Sequence, residues 1–255
     1  MTEKGFSMSG KVAIVTGAGG GIGRAIAVAF AEAGASVACL DLNLELAEAT
    51  VAAVTATGTH GIAIRCDVAE EADTRDAVDR VVTTFGALHV LLNCAAASDP
   101  TSTVVDCTPA DWDMVFAVNV RSAFLMSKWA VPAIASSGGG SIIHVASQLG
   151  RVGAPQRAVY CATKGALIQL AKAMAIDHAS QNIRVNALSP GAVETQRMMR
   201  FGSMEAARAE LGPKHLVGRI GLPNEIAAAA VFLASDASSF MTGADLLVDG
   251  GYTAI

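Results

Sequence analysis

Charge is what this sequence has least of. Only 16% of its 255 residues are Asp, Glu, Lys or Arg, against roughly 25% in an average globular domain. With 52% hydrophobic residues the chain has the material for a core, which excludes disorder as its main state. Lys and Arg number 18 against 23 acids, a net charge of −5, and aromatics are 5%. Neither the positive field nor the stacking rings that nucleic acid needs are present. Cysteines are few and odd in number: Cys39, Cys66, Cys94, Cys107 and Cys161 show no C-x-x-C spacing, and the histidines do not cluster. That argues against disulfides and zinc and for buried reduced thiols; no metal is expected. Tyrosine is scarcer still, with Tyr160 and Tyr252 alone.

Long hydrophobic runs are also missing, although the mean hydropathy of +0.45 raises the membrane question. The longest stretch without Asp, Glu, Lys or Arg, residues 129–150, is broken by Pro132, by the run Ser136-Ser137-Gly138-Gly139-Gly140-Ser141 and by His144. Residues 1–8 hold Glu3 and Lys4 and no apolar targeting segment. They are expected to form a flexible tail on a cytoplasmic protein.

What is present is alternation. Short apolar runs at 11–16, 36–41, 61–66, 88–93, 140–146, 182–188 and 244–248 are separated by longer stretches of helical periodicity, the form of repeated βαβ units. Runs such as Val12-Ala13-Ile14-Val15 are apolar on both faces and belong to a parallel sheet covered by helices on both sides. The stretch 70–85 reads as a one-sided surface helix, and Thr108-Pro109-Ala110-Asp111 as a capped helix start. Helices 110–135 and 157–179 are apolar nearly all round, with Val115, Val118, Phe124, Leu125 and Met126 in one and Leu167, Ile168, Leu170 and Met174 in the other. Packing between subunits is the expected reason, giving a homo-oligomer; packing within the chain is the alternative. No linker or repeat interrupts residues 9–255, which are expected to form one domain.

The first βα turn separates an open sheet from an eight-stranded barrel. Strand 11–16 runs into Thr16-Gly17-Ala18-Gly19-Gly20-Gly21-Ile22-Gly23 and then into a helix opening at Arg24. Glycines there let the backbone turn sharply and approach a pyrophosphate, whose charge then faces N–H groups at the helix N-terminus. The predicted fold class is α/β: a single-domain, Rossmann-type doubly wound parallel sheet of about seven strands with helices on both faces. The second strand ends in Asp41, where an acid would accept hydrogen bonds from an adenosine ribose. A 2′-phosphate about 4 Å from that carboxylate would meet a repulsion of roughly 1 to 4 kcal/mol per unit charge. Residues 42–44, Leu-Asn-Leu, offer no arginine to offset it, so the expected cofactor is NAD (NADH). Asp41 or Asn43 could alternatively cap the next helix. Asp67 lies at the same sheet edge, as an adenine contact or a cap, and Asn93-Cys94-Ala95-Ala96 ends the fourth strand with small residues, suited to a close cofactor or to packing.

Tyr160 and Lys164 stand four apart on helix 157–179, on one face in adjacent turns. Ser147 follows an apolar strand, and Asn119 is an amide inside an apolar helix. With T-G-x-x-x-G-x-G at 16–23, Asp67, Asn119, Ser147 and Tyr160-x-x-x-Lys164 in this order, essentially the whole chain resembles the short-chain dehydrogenase/reductase family. Asn186-Ala187-Leu188-Ser189-Pro190-Gly191 and the ending Leu247-Val248-Asp249-Gly250-Gly251 fit it too. Two segments depart from the family pattern: Asn93-Cys94-Ala95-Ala96 stands where Asn-Asn-Ala-Gly is common, and Thr163 where Ser precedes the lysine. Neither removes a reacting group.

The resemblance implies an oxidoreductase of secondary alcohols and ketones. Tyr160 would be the general acid/base, Lys164 would hold the nicotinamide ribose, Ser147 would orient the substrate oxygen and Asn119 would support a water relay. Cofactor contacts would come from Gly17, Gly19, Gly21, Ile22, Gly23, Asp41, Asp67, Val68, Asn93, Ala95, Tyr160, Lys164, Pro190, Gly191, Val193 and Thr195. A homotetramer would form through the two apolar helices. A phenol with an ordinary pKa of about 10 is only around 0.1% ionised at neutral pH, which is why such a base needs a cation beside it. The segment 191–220 is expected to cover the substrate, with Gln148, Gln156 and Met198 as candidate contacts and Arg151 or Arg157 for an acidic substrate. Other readings are an NADPH-linked 3-oxoacyl reductase, which Asp41 disfavours, a non-redox enzyme that regenerates its NAD, and a non-catalytic NAD-sensing protein.

Overall fold

The structure, a computed structural model, describes residues 3–97 and 100–254. Seven strands, β1 (Val12–Thr16), β2 (Ser36–Asp41), β3 (Gly61–Arg65), β4 (Val90–Asn93), β5 (Gly140–Val145), β6 (Ile183–Pro190) and β7 (Asp245–Val248), form one sheet in the order β3-β2-β1-β4-β5-β6-β7. Every pairing is parallel. The helices are α1 (Gly21–Glu32), α2 (Leu44–Thr55), α3 (Glu71–Phe85), α4 (Pro109–Phe116), α5 (Ser122–Ser136), α6 (Ala158–His178), α7 (Met204–Leu211) and α8 (Pro223–Ala234).

Successive strand side chains point to opposite faces, so the fully buried β1 feeds two cores. Val12 and Ile14 join Val78 of α3, Met126 of α5 and Leu167 of α6; Ala13 and Val15 join Phe30 of α1, Val54 of α2 and Ile226 of α8. Side chains start the helices where expected: Asn43 Oδ1 accepts from Leu46 N–H at 3.3 Å, and Thr108 Oγ1 from Asp111 N–H at 3.1 Å. Because β1 lies between β2 and β4, the strand order reverses there. A crevice opens at the carboxyl ends, the place where open α/β sheets bind ligands.

Three expectations change. Residues 3–6 form a 3-10 turn, Phe6 lies against Phe232 and Met8 is fully buried, so this stretch of the expected tail is packed; Met1 and Thr2 lie outside the described residues. The helix expected over 110–135 is interrupted by a π turn, Ala117–Arg121, whose wider coil turns Asn119 inward. The apolar faces of α4, α5 and α6 are largely used within the chain: Val115, Leu125, Met126, Leu167 and Met174 are buried, which leaves Trp112, Met114, Phe124 and Ile176 exposed. The segment 191–220, expected to cover the substrate, holds α7 between 3-10 turns. No helix among the described residues is long and apolar enough to cross a membrane.

Candidate active site

The glycine turn is pinned before it reaches the cleft. Thr16 Oγ1 accepts from the N–H groups of Cys94 and Ala95 at 3.0 and 3.2 Å, tying the end of β1 to the end of β4. A Cβ on Gly23 would lie 2.1 Å from the carbonyl oxygen of Gly17, so only glycine permits this closure. Gly20 caps α1 without any side-chain hydrogen bond, and a Cβ there would meet nothing within 4 Å. The helix end therefore keeps its donors beside open space, as a bound pyrophosphate requires. Asp41 Oδ2 accepts from Gly19 N–H at 2.9 Å and Oδ1 from Asn43 N–H at 3.0 Å. The carboxylate thus orders the turn while lining the cleft. Arg65, its register partner on β3, faces Asp73 at 3.7 Å.

The second group comes from β5 and α6. Ser147 follows β5, 8% exposed, with its Oγ accepting from Leu149 N–H at 3.2 Å. Lys164, 3% exposed, donates to the carbonyl of Val145 at 2.8 Å and lies 5.6 Å from the ring centre of Tyr160. Burial pushes its pKa below the ordinary lysine value, opposed by Tyr160 and Cys94 and aided by Arg197. The guanidinium carbon of Arg157 is 5.5 Å from the same ring. Behind them, Asn119 Oδ1 accepts from Ala97 N–H at 2.9 Å, and its Nδ2 donates to Thr163 Oγ1 at 3.2 Å, which in turn donates to the carbonyl of Tyr160 at 2.9 Å. The threonine that departs from the family pattern therefore links two of the predicted catalytic residues. Cys94 is pushed up to about 11 by burial, so it is a neutral wall rather than a nucleophile.

Both groups face one cleft of about 820 Å³. Every predicted site residue lines it except Gly19, Asp67, Val68, Asn93 and Asn119. Gly19 acts through Asp41, and Asn119 stands behind the wall. Asn93 hydrogen-bonds the buried His144 at 3.0 Å; Asp67 Oδ1 accepts from Ala69 N–H at 3.0 Å, and Val68 packs in the core beside α3. Of the substrate candidates, Gln148, Gln156 and Met198 line the cleft, as does Arg157. Arg151 does not: it is committed to Asp245 at 2.6 Å.

Sequence reasoning missed Lys214, His215 and Tyr252 on the cleft wall. Tyr252, near the end of the chain, has its ring centre 5.4 Å from that of His215. The signal was the Asp249-Gly250-Gly251 turn. Both glycines have positive φ, and Asp249 accepts from Gly251 N–H, Thr253 N–H and Thr253 Oγ1, which folds the chain end back.

A family model, Enoyl-(Acyl carrier protein) reductase, matches residues 17–253. The chain is 37% identical over 243 residues to the cyclohexanol dehydrogenase of Acinetobacter sp. (strain SE19), covering 95% of each. It superposes with a TM-score of 0.93 on a 7 alpha-hydroxysteroid dehydrogenase complexed with NADH and 7-oxo glycochenodeoxycholic acid, at 33% identity over 98% of this chain and 97% of that one. An Agrobacterium tumefaciens structure with bound NADP gives a TM-score of 0.89 at 32% identity, over 98% and 99% of the two chains.

Proposed function

We propose, starting from the fact that this chain belongs to the short-chain dehydrogenase/reductase family, that it interconverts a secondary alcohol and a ketone with NAD, using Tyr160 as general acid/base. The family assignment makes it an oxidoreductase of CH–OH groups served by a nicotinamide cofactor. The observation that carries the finer reading is the meeting of Ser147, Tyr160 and Lys164 on one cleft wall opposite the glycine turn.

When bound, the nicotinamide supplies the acceptor or donor of hydride. The chain's own groups handle the proton. Ser147 Oγ holds the substrate oxygen, and the Tyr160 hydroxyl takes its proton in oxidation and returns it in reduction. Lys164, dry and fixed by the Val145 carbonyl, sets a cation beside the phenol where little water screens it. Asn119 and Thr163 hold the turn of α6 that carries Tyr160.

Asp41 supports NAD over NADP. Its carboxylate is held by Gly19 and Asn43 at the cleft, and a 2′-phosphate beside it would be repelled by roughly 1 to 4 kcal/mol per unit charge. The exposed Phe124 and Ile176 support the homotetramer, since neither is covered by its own chain.

The test is NADH formation from a panel of secondary alcohols, sugars and hydroxy acids, with Tyr160→Phe as control. The variant should lose at least about a hundredfold in kcat and still bind NADH. Substantial turnover by folded Tyr160→Phe would falsify the assignment of the base, and silence of the wild type across the panel would move the protein to the NAD-sensing reading.

A further inference from the structure

Arg197 lines the cleft and differs in its partner from three arginines that do not. Arg151, Arg208 and Arg219 each meet a carboxylate at 2.6 or 2.7 Å, from Asp245, Glu194 and Glu225. Arg197, half-buried, has no such partner among the described residues. It reaches across the cleft and donates to the neutral carbonyl of Ala97, on the lip held by Asn119. A guanidinium offers five donors in a planar fork, and one carbonyl uses only part of it.

Its charge is felt at Lys164 and at the neighbouring Cys94, favouring the neutral amine of the first and partly offsetting the effect of burial on the second. Two cations therefore act on one dry space, an arrangement that favours entry of an anion. The wall around them also carries Arg157, Arg200 and the Lys214–Glu210 ion pair, 3.6 Å apart. Asp41 lies apart from this group, beside the glycine turn.

We infer that Arg197 reads a carboxylate on the substrate, and that the alcohol processed at Tyr160 is a hydroxy acid with its carboxylate a few carbons from the carbinol. This rests on the reading of Ser147, Tyr160 and Lys164 given above. The carboxylate takes no part in bond making; it is held bidentately, which fixes the carbinol against Ser147 and Tyr160. The Ala97 carbonyl keeps the guanidinium inside the cleft beforehand, so little side-chain freedom is lost on binding.

Matched substrates test this: short 2- and 3-hydroxy acids against their amides, which keep the carbon skeleton and remove the charge. With NAD, the wild type should favour the acid at least tenfold in kcat/KM. In Arg197→Met the acid-to-amide ratio should collapse toward one, through KM, while Arg197→Lys keeps part of it. Fluorescence titration should give NADH dissociation constants within twofold of wild type in both variants. Because the ratio is internal to each preparation, a partly folded variant does not mimic the effect. The inference is overturned by amides used as well as acids by the wild type, by an unchanged ratio in Arg197→Met, or by NADH binding weakened tenfold with the ratio kept, which would make Arg197 a ligand of cofactor phosphates. Turnover of neutral alcohols alone would sink only the role of Arg197; no turnover of acids, amides or simple secondary alcohols would sink the reading of the catalytic site, and this inference with it.

Discussion

Asn119 and Thr163 meet across the seam between the π turn and α6, amide Nδ2 to hydroxyl Oγ1 at 3.2 Å, and both are buried. The hydroxyl passes the link to the backbone of Tyr160 at 2.9 Å. Replacing Thr163 by Val keeps the shape but strands the amide, at a cost of about 1–3 kcal/mol, which lowers Tm by about 2–4 °C per kcal/mol. Because the lost bond steadies the turn bearing Tyr160, kcat should also fall about tenfold, the equivalent of 1.4 kcal/mol. Thr163→Ser should restore both. Calorimetry and steady-state kinetics check this; a Val variant with wild-type kcat would show that the link is only structural.

Asp41 makes a second prediction. Asp41→Asn keeps an oxygen for Gly19 N–H and removes the charge that would face a 2′-phosphate. The NAD-to-NADP ratio of kcat/KM should fall by at least about tenfold, within the roughly 1–4 kcal/mol of Coulomb repulsion at stake. An unchanged ratio would mean that cofactor choice lies elsewhere in the cleft.

The glycine turn, Asp41 and the Tyr160–Lys164 pair were legible in the sequence because each rests on local spacing: a strand-to-turn-to-helix junction, a strand end, one helix face. The sheet was legible for the same reason, since doubly buried strands such as Val12-Ala13-Ile14-Val15 read as apolar on every residue. What lay beyond reach depends on contacts distant in sequence. The bond from Arg197 to Ala97 spans 100 residues, and Tyr252 reaches the cleft only because Asp249 and two left-handed glycines fold the chain end back. The π turn at Asn119 was hidden because its residues are individually compatible with an ordinary helix.

The apolar faces of α5 and α6 gave an expectation that their residues satisfy only in part. Most pack inward, but Phe124 is 51% exposed and Ile176 80%. If these two close a contact between copies, Phe124→Arg with Ile176→Asp places charges in an apolar interface and should dissociate it. Light scattering should then fall from about four times the 25.9 kDa chain mass toward a single chain. A wild type that already scatters as 25.9 kDa would remove the tetramer from the proposal.

His144 sets a pH dependence. Burial in β5, with Lys164 adding to it, pulls its pKa from 6.5 to about 4. Nδ1 is engaged by Asn93, and Nε2 has no partner among the described residues. As pH falls below 6.5 the unfolded chain takes up a proton that the folded chain refuses, so stability is present in full above about 6.5 and is lost progressively down to about 4. A depression of about 2.5 units corresponds to a loss of up to about 3 kcal/mol across that window. In His144→Asn the group is absent from both states, so this component disappears while carboxylate titration remains. Urea unfolding at pH 7 and pH 4.5 should show the wild type losing more stability on acidification than the variant. Parallel losses in the two proteins would mean that His144 is protonated in the folded state, with a water or a rearranged Asn93 serving its second nitrogen.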